Sequence, residues 1–217
     1  MLKGFITGIV AANAFEWFAH KYVLHGIHRK GQARFSPVPK SMKSHWEHHR
    51  EVRKQEFGDD GYLEGLDNWR TRNELISLGI VATVFSVGSY KFSKGFALAN
   101  WYCAVNYFYI HRRAHLEPEW AKKKIPWHYD HHMNSNQDAN WCVTKPWFDY
   151  VMGTRVISEQ ELREQNPLGI PLPDILAKIL TEKVEQIFPA KWVEKKGSIK
   201  RISTDQEQDI IQLTNEV

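Results

Sequence analysis

Histidine is the residue type in this chain whose number and spacing could do chemistry. The sequence contains eleven histidines, and ten of them fall in four short groups, called boxes below. In chain order the boxes read H-x-x-x-x-H, H-x-x-H-H, H-x-x-x-H and H-x-x-H-H. Neutral imidazole binds zinc, copper, iron and nickel. The pattern therefore predicts a metal centre whose ligands are His20, His25, His45, His48, His49, His111, His115, His128, His131 and His132.

The spacing within the boxes is typical of residues on one face of a helix. Positions i, i+3 and i+4 are neighbours on a helix surface, so we expect the three histidines of each H-x-x-H-H box to converge on one point. His20 and His25 are about 140° apart around a helix, which predicts a helix end or a bend at that box. A metal ion in a closed protein site usually has four ligands, so ten imidazoles are enough for more than one ion.

An adventitious histidine tract and a structural zinc site both fit the sequence less well. Histidine tracts that bind metal adventitiously are contiguous, and structural zinc sites often use cysteine, of which the chain has only Cys103 and Cys142. Two cysteines also exclude a disulfide-stabilised secreted scaffold. The eleventh histidine, His28, lies outside the boxes and is interpreted as structural. A net charge of +4 is too small to indicate nucleic acid as a partner.

Three largely apolar segments must position the boxes. They cover about residues 2–24, 75–92 and 95–110, and the short gap between the last two predicts a tight helical hairpin. The last two, of about 16 to 18 residues, are near the minimum length for crossing a hydrocarbon core of about 30 Å. A buried helical pair in a soluble protein stays an alternative for the hairpin. The first segment also has features of a signal peptide, with a cleavage-like sequence at 12–14.

The distribution of basic residues predicts an orientation in the membrane. If the first segment crosses once and the hairpin twice, all four boxes face one compartment. Residues 20–72 contain eleven Lys or Arg residues, and further basic residues flank the later boxes. Because positive charge is enriched on the cytoplasmic side of membrane proteins, we expect an integral membrane protein whose boxes are cytoplasmic. The mean hydropathy of −0.50 hides this pattern, since charged regions outweigh the apolar segments.

The expected fold class is all-α, a small helical membrane-embedded bundle with a cytosolic histidine-box metal domain. Residues 1–155 form this domain, and residues 156–217 form a cytosolic amphipathic helical tail. Ser158 and Glu161 have the form of a capping box that opens a short helix. Apolar residues between 175 and 188 recur with the helical period, and this helix is expected to pack on the cytosolic core or to lie on the membrane surface. The polar end from Lys195 is expected to be flexible.

The order of the boxes resembles that of the membrane-bound fatty acid hydroxylase superfamily, which includes fatty-acyl hydroxylases, sterol desaturases and carotenoid hydroxylases. Residues 16–26, E-W-F-A-H-K-Y-V-L-H-G, are similar to the corresponding segment of carotenoid hydroxylases. Residues 128–154 contain H-Y-D-H-H, N-W-C-V-T-K-P-W-F-D and M-G-T, and are more similar to fatty acid hydroxylases. Cys142 and Met152 depart from the family pattern, and relatives usually have four or more apolar segments.

The resemblance implies a dinuclear centre of two metal ions, iron in this family, held by the box histidines. It also implies an enzyme that uses O2 and an external electron donor, a reductase, ferredoxin or cytochrome, to insert oxygen into a C–H bond of a lipid. A fatty-acyl or related substrate is expected. Desaturation or carotenoid ring hydroxylation at the same site stays open. So does a zinc-bound, non-redox protein that binds lipid or has a regulatory role, since histidine-only sites accept zinc.

Carboxylates near the boxes are expected to orient the imidazoles, as hydrogen-bond partners of metal-bound histidines commonly do. Glu16 lies one turn before His20, and Glu47 and Asp130 lie within boxes. The latter two point away from the metal face of their own helix. They are therefore expected to contact neighbouring boxes or to be surface charges.

Polar and aromatic residues after the last box are expected to support the site. Asn140 and Asp149 are predicted to fix a loop, because Asn and Asp favour turns and backbone contacts. Trp141 and Trp147 are predicted to line the substrate entrance or, alternatively, to anchor the chain at the membrane interface.

Overall fold

The computed structural model describes residues 1–26, 40–158 and 160–193, so His28 and the end from Lys195 lie outside the described residues. The described chain is mostly helical, in agreement with the predicted all-α class. Its helices are α1 (Leu2–Phe18), α2 (Lys40–Lys54), α3 (Trp69–Tyr90), α4 (Lys94–Leu116), α5 (Pro118–Lys124), α6 (Pro126–Met133), α7 (Trp147–Val151) and α8 (Asp174–Ile187). Two short parallel strands, β1 (Val156–Ile157) and β2 (Lys191–Trp192), pair near the end.

The three long helices α1, α3 and α4 pack together, and small residues bring α1 close to α4. A Cβ atom added at Gly8 of α1 would lie 2.5 Å from the Cβ of Ala99 on α4. Gly4 faces Ser93, and Gly95 faces the backbone of Met1 in the same way. Glycine or alanine at every fourth position on both helices is typical of helices that pack closely in membranes.

The predicted hairpin is formed by α3 and α4, and both helices are longer than the apolar segments. The Asn68 side chain caps α3 by accepting from the amide of Arg70 at 3.0 Å, and the Ser93 side chain caps α4 by accepting from the amide of Phe96 at 3.2 Å. The extension of α4 carries the third box, so the hairpin places His111 and His115 just beyond its apolar part.

The surface of this bundle is apolar. Among the described residues, α3 is long and apolar enough to cross a membrane, and only 6% of its apolar window is buried within the chain. The chain itself therefore leaves most of α3 uncovered, whereas α1 and α4 do not meet the same length and composition criteria for a membrane span. The exposed large apolar side chains of the three helices include Leu2, Ile6, Val10, Ile76, Ile80, Val84, Phe85, Val87, Leu98, Trp101, Val105 and Tyr109.

The tail differs from its prediction at the first of its two helices. At the predicted start of this helix, the amide of Glu161 donates to the carbonyl of Ser158 at 2.9 Å, and Glu161 has a φ of 58°, which is not helical. The buried Arg155 side chain donates to the Leu162 carbonyl at 3.3 Å, which draws the segment around the guanidinium group instead of into a helix.

The second predicted tail helix is α8. It buries Ala177 but leaves Ile175, Ile179 and Ile187 exposed. Packing on the core therefore buries the small Ala177 side chain and leaves the three larger isoleucine side chains exposed to solvent or to another surface.

Candidate metal centre

The fold brings the histidines of all four boxes into two adjacent buried groups. In each group, one ligand atom from every histidine lies within 4.8 Å of the others. The rings of His49 and His132, one from each group, have centroids 4.1 Å apart. The first group contains His20, His25, His49 and His131, and the second group contains His48, His111, His115 and His132.

The remaining two box histidines border these groups. The Nε2 atom of His45 lies 2.9 Å from Nε2 of His25 and 3.1 Å from Nε2 of His20, both in the first group. The Nε2 atom of His128 lies 3.2 Å from Nε2 of His115 in the second group. All ten predicted ligands therefore lie at the centre. Counting His45 with the first group and His128 with the second, five histidines belong to each side.

The prediction that each H-x-x-H-H box converges on one point is wrong. In α2, His45 and His49 belong with the first group, whereas His48 belongs to the second. The reason is the angle between the histidines around the helix axis. Residues four apart differ in direction by only about 40°, whereas the histidine at i+3 lies about 100° from the one at i+4. The box in α6 divides by the same rule, so each of these helices contributes to both groups.

The first box closes through a change of helix type. The α1 helix continues into a π-helical segment, Ala19–Leu24, and the amide of His25 donates to the carbonyl of His20 at 3.0 Å. Residues five apart share a face in this wider helix, because its hydrogen bonds join i to i+5. The predicted bend is therefore a π turn that returns His25 to the group of His20.

The outer nitrogen of several ligands is held by a hydrogen bond. The Nδ1 atoms of His20, His115 and His131 donate to backbone carbonyls, those of Trp141, Phe57 and Ala139, at 2.5, 2.9 and 2.8 Å. A ring that donates from Nδ1 keeps the Nε2 lone pair for a metal, and such outer bonds fix the orientation of metal-binding histidines.

Two carboxylates hold the second group. The Nδ1 atom of His48 lies 2.8 Å from Asp59, and the Nδ1 atom of His111 lies 2.6 Å from Glu74. The Tyr62 hydroxyl donates to Glu74 at 2.7 Å and lies 2.9 Å from the same His111 nitrogen. The second group therefore has anionic outer partners, whereas the partners of His20 and His131 in the first group are neutral carbonyls.

The inner nitrogens fit metal ions. The Nε2 atoms of His48, His131 and His132 are buried and have no hydrogen-bond partner among the described residues. Buried nitrogens without a partner are costly unless something binds them. Neighbouring Nε2 atoms lie 2.9–3.2 Å apart. Two nitrogens that bind one ion at about 2.0–2.1 Å and at a right angle lie about 3 Å apart. Each group can therefore hold one ion.

The electrostatics of the centre favour the metal-binding form of histidine. Burial lowers the pKa of His48, His49 and His132 well below its usual value, and neighbouring imidazoles act in the same direction. Burial also lowers the pKa of His131, to about 4. Neutral imidazole is the form that coordinates metal, so the folded chain holds these ligands ready near neutral pH.

The three carboxylates predicted to orient imidazoles do something else. Glu16 accepts from the amide and hydroxyl of Thr144 at 2.8 and 2.7 Å, and Asp130 pairs with Arg155 at 3.0 Å. Glu47 is half-buried, and among the described residues it has no hydrogen bond to a box histidine. Glu47 and Asp130 lie inside a box and point away from the helix face that its histidines share. Glu16 lies on the same side of α1 as His20, but its carboxylate is occupied by the loop at Val143 and Thr144.

The carboxylates that do contact imidazoles, Asp59 and Glu74, come from the loop after α2 and the first turns of α3. They bear no fixed spacing to any box. The sequence therefore offered no signal that distinguished them from other acidic residues.

A buried loop after α6 is fixed by its own Asn140 and by Asp149 of α7. The carboxylate of Asp149 accepts from the amides of Trp141 and Cys142 at 2.8 and 2.9 Å. Asn140, with a φ of 59°, pairs its side chain with both backbone groups of Val156 at 2.8 Å. These bonds fix the loop whose carbonyl at Trp141 holds His20.

A cavity of about 610 Å³ joins the apolar bundle to the metal centre. Its walls come from α1, α3 and α4, with side chains such as Ile9, Leu78, Val81, Phe85 and Phe96. At the box end it reaches both groups. The box histidines that line it are His20, His45, His48 and His111.

The two tryptophans predicted at a substrate entrance have different positions. Trp141 is 1% exposed, and its ring packs against His25 and His131, with centroids 4.9 and 5.3 Å apart. It lies beside the first group and does not line the cavity, so it is not at a substrate entrance. Trp147 does line the cavity, and its Nε1 donates to the Leu168 carbonyl at 2.9 Å.

Comparison of the chain with protein-family models, with curated proteins and with solved structures finds no match. The arrangement of the ten histidines, their outer partners and the cavity are therefore the observations from which a function can be proposed.

Replacement of Asp59 by Asn should weaken metal binding in the second group alone. The variant keeps the shape of the side chain but removes the charge that supports His48, and loss of such an outer partner typically costs about 10–100-fold in metal affinity. Competition titration with a chelator measures the affinity of each ion. Asp60→Asn is the matched control, since Asp60 is the exposed neighbour. Equal effects of the two substitutions would contradict the assigned contact.

Proposed function

We propose that this protein is an oxygenase with two metal ions, which uses O2 and external electrons to hydroxylate an unactivated C–H bond of a long hydrophobic substrate. The observation that carries the proposal is the cavity. It is walled by apolar side chains from three helices, and it ends on histidines of both groups. Such a shape admits a lipid chain to a metal centre and has no evident use in a purely structural metal site.

The metal assignment rests on the donor set. The first group would hold one ion and the second group the other, each through neutral imidazole nitrogens. Imidazole suits iron as well as zinc, and the order of the boxes resembles a family that uses iron. Iron in this position would supply the activation of O2 that breaking a C–H bond requires.

The chain's own residues would bind the substrate, orient the histidines and keep water out of the site. Apolar walls bind the substrate chain and exclude water, which protects a reactive oxidant from side reactions. Glu74 lines the cavity and fixes His111 through its Nδ1 atom. The Tyr62 hydroxyl proton lies on the bond to Glu74. This pair therefore holds a proton next to the second group.

The proposal includes a membrane location. The exposed apolar side chains of α1, α3 and α4 would face lipid, and the close packing of α1 against α4 through small residues suits a bilayer. The boxes would then lie at the cytoplasmic surface, where basic residues are concentrated. In this arrangement the substrate enters from the bilayer, and a reductase, ferredoxin or cytochrome delivers electrons from the cytoplasm.

The test is a single-turnover experiment on purified, iron-loaded full-length protein. The protein is reduced anaerobically, mixed with a total lipid extract that includes carotenoids, and exposed to isotopically labelled O2. Mass spectrometry should find a lipid that has gained one labelled oxygen atom. A His111→Ala variant should give no product, whereas a His28→Ala variant should match the wild type.

Three further results would assign the chain to the alternatives. A product that has lost two hydrogens without gaining oxygen indicates a desaturase, and an oxygenated ring indicates a carotenoid hydroxylase. Tightly bound zinc, with no O2 consumption after iron is restored, overturns the proposal in favour of a non-redox protein.

A further inference from the structure

The exposed apolar surface of α1 continues past the end of that helix. Leu2, Ile6, Val10 and Phe18 are all exposed. Their separations of four, four and eight residues place them along one stripe of the helix. The ring of Phe18 packs on the exposed Tyr22, with centroids 5.4 Å apart. The stripe therefore reaches the π-helical segment of the first box.

The segment that contains α7 is held against α1 on both sides of that short helix. Before it, the side-chain amide of Asn13 donates to the carbonyl of Lys145 at 2.9 Å. After it, Nε1 of Trp17 donates to the Thr154 hydroxyl at 2.9 Å. The Trp17 ring also meets that of Tyr22, with centroids 5.7 Å apart. The segment therefore lies beside the apolar stripe of α1.

The positions of these contacts along α1 give the level of α7. Asn13 precedes the metal ligand His20 by seven residues. At a rise of 1.5 Å per residue this is about 10 Å along the helix axis, toward the apolar bundle. The segment therefore begins on the bundle side of the metal centre, at a level between the exposed Val10 and Phe18 of α1.

The turn after α7 exposes apolar side chains in this region. Val151 and Met152 are both exposed, and Gly153, with a φ of 62°, turns the chain after them. Strand β2 is close, because a Cβ added at Gly153 would lie 3.8 Å from Nζ of Lys191, and the next residue, Trp192, is exposed. The exposed apolar side chains of this region are called the α7 edge, and they are Phe18, Tyr22, Val151, Met152 and Trp192.

The composition of the α7 edge is typical of the border between hydrocarbon and lipid headgroups. Tyrosine and tryptophan are enriched there, and lysine can extend its ammonium group from apolar surroundings to the polar side. Nζ of Lys21 lies 4.6 Å from the centre of the Trp17 ring and 5.1 Å from that of Tyr22, and Lys191 precedes Trp192 in β2. An apolar edge bordered by cations is complementary to a bilayer surface that carries anionic headgroups.

We propose that the α7 edge inserts into the interface of the lipid bilayer and anchors the metal centre to the membrane beside α1. This inference rests on the membrane location of α1, α3 and α4 in the proposed function. It adds a contact made by a turn and a strand, neither of which crosses the membrane. The anchor would hold the centre at a fixed depth, because the Trp17–Thr154 bond links it to the chain that carries His20.

The experiment uses spin labels on zinc-loaded full-length protein in nanodiscs that contain anionic phospholipid. A single cysteine replaces Met152 or Trp192 in a chain whose half-buried Cys103 is replaced by alanine, and the buried Cys142 is kept. Collisions of each label with O2, which concentrates in hydrocarbon, are compared with its collisions with a water-soluble nickel chelate. Both labels should collide more often with O2 than with the chelate.

Two other exposed positions supply the references. Val84 lies on α3, and its label should report hydrocarbon. Asn136 lies in the polar loop after α6, and its label should report water. Retention of two zinc ions per chain shows that each labelled variant is folded.

The α7 edge is refuted if the Met152 and Trp192 labels match Asn136 while Val84 reports hydrocarbon, and the proposed membrane location then stands. Labels that collide with neither reagent show a contact with protein, such as a second copy of the chain, and refute it too. A Val84 label in water would overturn the proposed membrane location and the α7 edge together. Failure to detect oxygen insertion, with all labels as expected, would overturn the oxygenase alone.

Discussion

A His131→Ala variant will retain one tightly bound metal ion, whereas the wild-type chain retains two, and a His132→Ala variant will retain the other one. These adjacent residues belong to different groups. Each substitution removes an inner ligand from one group and leaves the other four-histidine group complete. Loss of an outer partner alone typically costs about 10–100-fold in affinity, so loss of a ligand should cost at least about a hundredfold.

The measurement is the metal content per chain after anaerobic loading and dialysis against a chelator. His28→Ala is the control and should retain both ions. The identity of the remaining ion follows from adding Asp59→Asn, which acts on the second group. It should weaken the ion that remains in the His131→Ala variant and have no further effect on the ion that remains in His132→Ala. If either single variant loses both ions while folded, the division into two separately held ions is wrong.

Much of this centre could be predicted because metal ligands on helices obey a fixed spacing. The positions of ten histidines identified the imidazoles that meet at the centre, and the apolar segments identified the hairpin that carries the third box. Which histidines share an ion was not predictable from the same pattern. That depends on how α2 and α6 are rotated about their axes relative to each other. The spacing of histidines within one helix carries no information about this rotation.

The outer partners show a second limit of the sequence. Asp59, Glu74 and the carbonyl of Phe57 reach the second group from loops and helix starts that have no spacing relation to the boxes. A backbone carbonyl also has no sequence signature, because every residue carries one. Proximity in the sequence suggested Glu16 and Asp130 instead, but Glu16 accepts from Thr144 and Asp130 pairs with Arg155.

The tail shows how a tertiary contact overrides a local signal. Ser158 and Glu161 have the residue types of a helix start, yet the chain turns there. Arg155 is fully buried and binds Glu164 at 2.7 Å as well as Asp130 on α6. A buried charge must be paired, so the segment adopts the path that brings Glu164 and the Leu162 carbonyl to the guanidinium group.

Arg155→Ala should therefore be among the most destabilising substitutions in the chain. It leaves two buried carboxylates, Asp130 and Glu164, without their shared cation, and breaking a buried pair in this way typically costs about 3–5 kcal/mol. The Asp130 carboxyl already shows the penalty, since burial raises its pKa to about 6 although Arg155 acts in the opposite direction. The free energy of unfolding, measured by denaturant titration of the detergent-solubilised protein, should fall by that amount.

Arg163→Ala is the matched control, because the pair of Arg163 with Glu185 is about 31% exposed on each side. Exposed pairs contribute about 0–1 kcal/mol, so this variant should unfold almost as the wild type does. Arg155→Lys should recover only part of the loss, since an ammonium group does not replace the planar fork that binds two carboxylates.

The effect of Arg155→Ala should extend to the metal centre, because Asp130 lies on α6 between His128 and His131. Arg155→Ala should thus lower metal affinity in both groups, whereas Asp59→Asn lowers it in one. An Arg155→Ala protein that unfolds like Arg163→Ala would show that the buried network does not hold α6 in place.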